Sequence, residues 1–252
     1  MSAGAEYSQT FAPAGVALGS PRLHLRVTDS SNTRARELAA AGAPHGTLVT
    51  AGEQTAGRGR QGRSWSAPAG RALLCSLVIR DPPQLLPLTA GVAVAEVADA
   101  EIAEGVAAGA QLKWPNDVLI AGRKVAGILV EGRPQERWAV LGIGLNVALI
   151  EADFPTELRA RAGTLGRQPA AIEPVLASLL ASLQRWLTAP PLTVLEAVRD
   201  RDALRGHRVR WSDGEGRARG IDEAGRLLVQ TADGRHLALE AGEVHLIPQN
   251  DW

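Results

Sequence analysis

Lysine is almost missing from this chain of 252 residues. Its 27 Lys plus Arg include only two lysines, Lys113 and Lys124, and every other basic position holds arginine. An ammonium is a compact point charge with three rotatable donors, whereas a guanidinium is a flat fork. Two positions that stay lysine mark places where the fork would not fit. Net charge is missing too: 27 acidic residues balance the basic ones, which argues against a broad phosphate footprint on nucleic acid and leaves only a local basic loop. Cys75 is the only cysteine, so no disulfide forms within the chain, and no Cys/His spacing suggests zinc. The five histidines are scattered and do not build an imidazole metal site. The most apolar helix-like run, Leu88 to Ile102, carries Glu96, Asp99 and Glu101, and is too polar and short to span a bilayer. The N-terminus has no basic start and no apolar run, so it is not read as a signal peptide; residues 1–22 are expected to be a flexible tail. The default location is the cytoplasm, for a chain of ordinary globular composition, 45% apolar and 21% charged.

Both lysines lie in Leu112 to Glu131, LKWPNDVLIAGRKVAGILVE. Trp114-Pro115-Asn116-Asp117 reads as a turn, since Pro presets φ and the Asn and Asp side chains bond nearby backbone. Val118-Leu119-Ile120 is a short strand, Ala121-Gly122-Arg123 a tight reversal, and Lys124 to Glu131 a second strand. Gly127 there leaves room for close approach of backbone or ligand. The hairpin brings Asp117 near Lys124, well placed for an anion.

Elsewhere, Leu23 to Val27 alternates as a first strand. Asp29-Ser30-Ser31-Asn32 precedes a helix over Thr33 to Ala41, closed by Gly42; one of the polar side chains is expected to cap it and the others to face a ligand. Strands are expected over Gly46–Glu53, Ala72–Arg80 and Trp138–Asn146, and helices over Leu88–Gly105, Val175–Leu187 and Val194–Leu204. Gly142 and Gly144 clear one face of their strand, and Asn146 could offer an amide there. Beyond residue 204 five short strands separated by Asp-Gly and Ala-Gly turns fit a small barrel.

Gly57, Gly59 and Gly62 match G-x-G-x-x-G. A dinucleotide site needs a helix directly afterwards, and Ser66 to Gly70 is a loop instead. What Gly57 to Trp65 offers is three glycines alternating with Arg58, Arg60 and Arg63, then a tryptophan. Such a loop is mobile when empty, gives bidentate phosphate contacts, and ends in a ring that stacks on a purine. The residues alone lead to an anionic, nucleotide-like ligand beside a sheet, or to an RNA-binding module.

GRGRQGRSW at Gly57 to Trp65, KWPNDV at Lys113 to Val118, KVAGILVE at Lys124 to Glu131 and GIGLNV at Gly142 to Val147 resemble biotin protein ligase in order and spacing, as does DSSN before the first helix. The resemblance covers Leu23 to Ile247. It implies an α+β fold: a mixed β-sheet flanked by helices, class II synthetase-like, over 23–204, and a small Src-homology-3-like β-barrel over 205–252. It implies that ATP and biotin give biotinyl-5′-AMP, with Mg²⁺ on the phosphates, and that biotin passes to a lysine of a biotin carboxyl carrier domain. By motif, Ser30, Ser31, Asn32 and Gln54 line the biotin site with Gly57, Arg58, Gly59, Arg60 and Gly127. Arg58, Arg60, Arg63, Trp65, Lys124, Asn116 and Asn146 meet the nucleotide. Lys124, Arg60 and Asp117 carry the chemistry: Lys124 bridges carboxylate and α-phosphate, and Asp117 positions or deprotonates the acceptor amine. No residue is assigned to metal. Ser31 stands where many members have Thr. The stretch before Leu23 is too short for a helix-turn-helix domain, so neither DNA binding nor repression is expected, nor a membrane partner; a weak homodimer is left open. The alternatives are transfer of lipoate or octanoate on the same fold, and binding without catalysis.

Overall fold

A computed structural model describes residues 17–102, 109–240, 242 and 244–247. The chain opens with β1 (Arg22–Leu25), α1 (Ser31–Ala40) and β2 (Leu48–Ala51), a crossover that leaves β1 and β2 parallel. There follow β3 (Ala72–Arg80), α2 (Leu86–Glu101), β4 (Gln111–Lys113), β5 (Asp117–Ile120), β6 (Arg123–Arg133) and β7 (Trp138–Asn146). These seven strands form one sheet in the order β1-β2-β3-β7-β6-β5-β4, antiparallel after β2. Helices α3 (Ile172–Trp186) and α4 (Pro191–Asp200) come next. The C-terminal strands are β8 (Arg208–Trp211), β9 (Gly214–Ile221), β10 (Leu227–Gln230), β11 (His236–Leu239) and β12 (His245–Leu246). They make a five-stranded antiparallel sheet ordered β11-β10-β9-β8-β12.

Strand periodicity decides which face of the large sheet is core. Along β7, Leu141, Ile143 and Leu145 point into the main core, which α2 and α3 cover. α2 is Ala- and Val-rich and apolar nearly all round, as a helix buried between a sheet and other helices must be. The alternate residues, Trp138 and Val140, meet Ala35 and Ala39 of α1 on the opposite face. The N-terminal end of α1 stops over Gly142, because Asn32 lies against that glycine. Past it the same face is lined by Ala51, Ala72 and Leu74, with Trp65 packed on them from a loop. This end of the sheet, flanked by a helix start and a loop, is where a ligand can reach the strands.

The five expected C-terminal strands are present, and β3 and β7 have the expected bounds. Three expectations are revised by tertiary contacts. Residues 17–22 are not tail: Leu18 is buried, its N–H donates to Gln184 Oε1 at 3.1 Å, and Arg22 pairs with Glu173 at 2.7 Å. The rest of that tail, residues 1–16, lies outside the described residues, as does Gly105, the expected end of α2. α4 starts at Pro191 and ends at Asp200, because Arg201 to Ala203 run alongside β4: Leu112 N–H donates to Arg201 O at 2.7 Å and Ala203 N–H to Leu112 O at 3.0 Å. The change from helix to strand thus falls between Asp200 and Arg208. Finally, no polar side chain at 30–32 caps α1. Asp29 Oδ1 accepts the Ser30 N–H at 2.7 Å, and Gln54 Oε1 accepts the Ser31 N–H at 2.7 Å. The first donor of the helix is met from outside by Gln54, and the serine hydroxyls are left for another use.

The two sheets are joined through the Trp114 turn and through α4. Trp114 Nε1–H donates to Gly225 O at 3.0 Å, and Arg199 to Ile221 O at 2.9 Å. No helix of the described residues is long and apolar enough to cross a membrane.

Candidate active site

One cross-strand row organises the open end of the sheet. Ala51 pairs with Leu74, Leu74 with Gly144, Gly144 with Gly127, Gly127 with Asp117, and Asp117 with Lys113. Directly opposed residues share a face. The row therefore runs from apolar side chains, across two glycines, to a carboxylate and an ammonium. The indole of Trp65 lies flat on the glycines: a Cβ at Gly144 would sit 2.5 Å from its Cε2, and one at Gly127 would sit 3.0 Å from its Cζ3. Its Nε1–H is buried and has no hydrogen-bond partner among the described residues, an unmet donor inside the site.

The Gly57–Trp65 loop that carries this indole is a small hairpin. Arg58 and Ser64 bridge, Gly59 N–H donates to Arg63 O at 2.7 Å, and Trp65 N–H to Gly57 O at 2.9 Å. Gly57 must be glycine, since a Cβ there would lie 2.2 Å from the Trp65 carbonyl. Arg60 at the hairpin tip reaches Asn116 Oδ1 and Gly242 O, both at 3.4 Å. The tip thereby leans over the Trp114–Asp117 turn.

At the end of the row, Lys124 Nζ pairs with Asp117 Oδ1 at 2.6 Å, and Lys113 Nζ stands 3.9 Å from Asp117 Oδ2. Lys124 Nζ also lies 5.5 Å from the centre of the Trp65 ring. The expected approach of Asp117 and Lys124 is therefore direct contact. It comes about through a bulge between Val118 and Leu119 and a reversal at Ala121 and Gly122, where φ is 48° and 74°. Positive φ at both central residues is the hairpin turn whose twist matches the strands, and it favours Gly at the second.

The next row holds Ser76, Gly142 and Leu129. Over it runs a polar chain. Asn32 Nδ2–H donates to Glu131 Oε2 at 2.9 Å, and Ser76 Oγ–H to Asn32 Oδ1 at 2.6 Å. Ser31 Oγ lies 2.8 Å from Ser76 Oγ and 3.0 Å from Gln54 Oε1. Glu131 Oε1 meets Arg58 at 2.8 Å and Arg36 at 3.7 Å. Gly142 leaves the room Asn32 occupies; a Cβ there would fall 2.0 Å from Asn32 Oδ1.

Ser30, Ser31, Asn32, Gln54, Gly57, Arg58, Gly127, Trp65, Asp117 and Lys124 thus converge on one end of the sheet. Three expected nucleotide contacts are differently occupied. Asn116 Nδ2–H donates to Ile128 O at 3.0 Å, which holds the turn against β6. Asn146 is buried, and its Nδ2–H donates to Gly163 O at 2.8 Å. Because the Gly163 N–H donates to Lys124 O at 2.8 Å, Asn146 braces the segment beside Lys124. Arg63 is exposed, and its Nε–H contacts Arg60 O at 3.4 Å. Sequence reading passed over Ser76 and Glu131. Ser76 was legible as a lone hydroxyl in the otherwise apolar interior of β3, and it is fully buried. Among the described residues no cluster of three or more His, Cys, Asp or Glu side chains could hold a metal ion.

The Biotin/lipoate A/B protein ligase family profile matches residues 24–147, and that of the Biotin protein ligase C terminal domain matches residues 212–246. A biotin--[acetyl-CoA-carboxylase] ligase of Mycobacterium tuberculosis is 37% identical over 233 residues, covering 86% of this chain and 85% of its own length. The bifunctional ligase/repressor BirA of Bacillus subtilis is 36% identical over 235 residues, 86% of this chain and 71% of its own. Among solved structures, biotin protein ligase from Aquifex aeolicus in complex with biotin and ATP superposes with a TM-score of 0.75 at 28% identity, covering 90% of this chain and 99% of that one. Sequence profiles, relatives and fold agree with one another, and the chain belongs to the biotin protein ligase family.

Proposed function

We propose that this chain is an ATP-dependent biotin–[acetyl-CoA-carboxylase] ligase. The observation that carries the reading is the opposed glycine pair, Gly127 and Gly144, roofed by Trp65 and ended by the Lys124–Asp117 pair. The indole seated on the glycines offers a flat face on which a planar ring can stack, beside a point charge suited to phosphate.

In the first half-reaction a carboxylate oxygen of biotin attacks the α-phosphorus of ATP, the bond to the bridging oxygen breaks, and pyrophosphate leaves. Both reactants are anions, so catalysis is positioning and charge neutralisation. Ser30, Ser31, Asn32 and Gln54 hold the ureido ring. Gly57, Arg58, Gly59 and Arg60 close over biotin and phosphate. Trp65 stacks on adenine, with Arg63 beside it and Asn116 and Asn146 supporting the nucleotide edge. Lys124 gives up Asp117 to bridge the biotin carboxylate and the α-phosphate. The same move uncovers Asp117, which then accepts the proton lost when the carrier lysine amine attacks the mixed anhydride and AMP departs. The donor set does not build a cage for Mg²⁺, so the ion would enter on the triphosphate, where it would neutralise the leaving pyrophosphate. The acceptor we propose is a biotin carboxyl carrier domain, met in the cytoplasm.

Purified protein with ATP, Mg²⁺ and biotin should release pyrophosphate and add one biotinyl mass to a carrier-domain lysine. Activity with lipoate in place of biotin would move the chain to lipoate transfer. A folded protein inert with both would overturn the reading.

A further inference from the structure

The polar chain behind the biotin site has a direction, and one residue sets it. We propose that Glu131 is a positioning residue that orders the protons of the ureido-facing wall, an inference that rests on the function proposed above. Its carboxylate is shared by Arg58 at 2.8 Å and Arg36 at 3.7 Å, and an ionised carboxylate can only accept. Asn32 must therefore turn its Nδ2–H to Glu131, at 2.9 Å. Its Oδ1 then faces Ser76, whose single proton is donated to it at 2.6 Å. With that proton placed, Ser76 Oγ meets Ser31 Oγ, 2.8 Å away, only as an acceptor. On the other side, Gln54 Oε1 is fixed as an acceptor by the Ser31 N–H at 2.7 Å.

Ser31 is left between two acceptors, Ser76 Oγ and, at 3.0 Å, Gln54 Oε1. Whichever takes its proton, that proton stays inside the protein. Ser31 Oγ therefore meets a ligand as an acceptor. Gln54, with Oε1 turned inward, directs Nε2–H towards the Gly57 side of the site, where a Cβ on Gly57 would lie 2.7 Å from Nε2. The wall so offers one acceptor and one donor. A cyclic urea carries the complement, an N–H and a carbonyl. A cyclic carbamate, in which one ring N–H has become O, sets an acceptor against an acceptor. Buried, ordered walls of this kind reject a mismatched group far more strongly than they reject a missing methylene.

Glu131→Gln keeps the volume and removes the fixed end. A carboxamide presents either an acceptor or a donor to Asn32, so Asn32 can reverse, Ser76 can turn its proton to Ser31, and Ser31 can donate outward. The test is the ratio of kcat/KM for biotin to that for each of the two isomeric carbamate analogues, read by pyrophosphate release. E131Q should narrow the larger ratio by about tenfold or more and raise the KM for biotin. E131D, which keeps the anion, should hold the ratio within about threefold of the unmodified protein. A raised KM in E131Q with an unchanged ratio would mean that Glu131 only supports packing, and would overturn the proposal. So would equal narrowing by E131D. Absence of biotin-dependent pyrophosphate release from the unmodified protein would instead sink the functional reading itself.

Discussion

Gly142 and Gly144 stand two residues apart on one face of β7, and a methyl at each should injure the use of a different substrate. At Gly144 the added Cβ would lie 2.5, 2.7 and 2.9 Å from three atoms of the Trp65 indole. Ordinary carbon contacts begin near ~3.5 Å, so the ring must lift by about 1 Å. Overpacking of this size costs about 1–3 kcal/mol, or about five- to 150-fold in an equilibrium. Trp65 sits on a hairpin and is only half-buried, so the strain is relieved by displacing the ring and not by unfolding the sheet. In Gly144→Ala the KM for ATP should therefore rise about tenfold or more, while the Tm moves by no more than about 3 °C. At Gly142 the methyl would fall 2.0 Å from Asn32 Oδ1, and Asn32 is buried and bonded at both ends of its amide. It has nowhere to go. Gly142→Ala should raise the KM for biotin and lower the Tm by several degrees, about 2–4 °C per kcal/mol for a chain of this size. The assay is initial-rate pyrophosphate release with each substrate varied in turn, beside thermal melts. If Gly144→Ala changed the KM values for ATP and biotin equally, or left both alone, the division of β7 into a nucleotide row and a biotin row would be wrong.

Lys124→Arg should lose about a hundredfold in adenylate formation although the charge is kept, because Nζ lies so close over Gly127 that an added Cβ there would stand 3.2 Å from it, and it makes a single-point contact with Asp117 at 2.6 Å that the larger fork cannot reproduce; near-normal pyrophosphate release would remove the argument from scarce lysine. Asp117→Asn should depress transfer to the carrier more than adenylation, by about tenfold or more in single-turnover comparison, and an equal loss in both steps would deny Asp117 a role at the amine. Glu96 joins α2 to α3: burial pushes its carboxyl up, but donors from Trp186, Ser182 and Arg185 outweigh this and hold it below the ordinary glutamate value. An acid whose folded pKa is depressed stabilises above its unfolded value and loses that contribution as pH falls, so the Tm gap between the unmodified protein and Glu96→Gln should be about 2–4 °C at pH 7 and shrink below about pH 4.5. A gap that does not vary with pH would show that the charge is irrelevant there. Burial pushes the Cys75 thiol up to about 12, so alkylation of the native protein at pH 8 should be negligible and appear only on denaturation.

The parts that were legible in the sequence are those written locally. β3 and β7 are mostly apolar runs that end on a polar residue, Arg80 and Asn146, so their bounds could be read directly, and the β5–β6 reversal carries its own turn chemistry. What was not legible depends on register or on distant partners. Gly127 and Gly144 each read as a strand glycine; that they are opposed depends on how β6 and β7 align after the turn between them. Asn116 and Asn146 were identified by residue type, yet an amide can face a ligand or a neighbouring carbonyl equally well, and here both donate to carbonyls. The cap of α1 comes from Gln54, 23 residues away in sequence, which no local capping pattern contains.

The scarcity of lysine has a physical reason that only the geometry supplies. Asp117 is approached by Lys124 at 2.6 Å and by its cross-strand partner Lys113 at 3.9 Å. An arginine at either place could clasp both carboxylate oxygens in a bidentate pair and hold Asp117 fast. An ammonium makes a single-point contact that a phosphate can take over. If the reaction requires Lys124 to leave Asp117 for the α-phosphate and then requires Asp117 to be exposed to an amine, the cation must bind the carboxylate weakly enough to release it. Lys113 then remains close enough to keep Asp117 from being left without a counter-charge. Two lysines among arginines are what an exchange of partners needs, and a fixed ion pair would have been served as well by the fork.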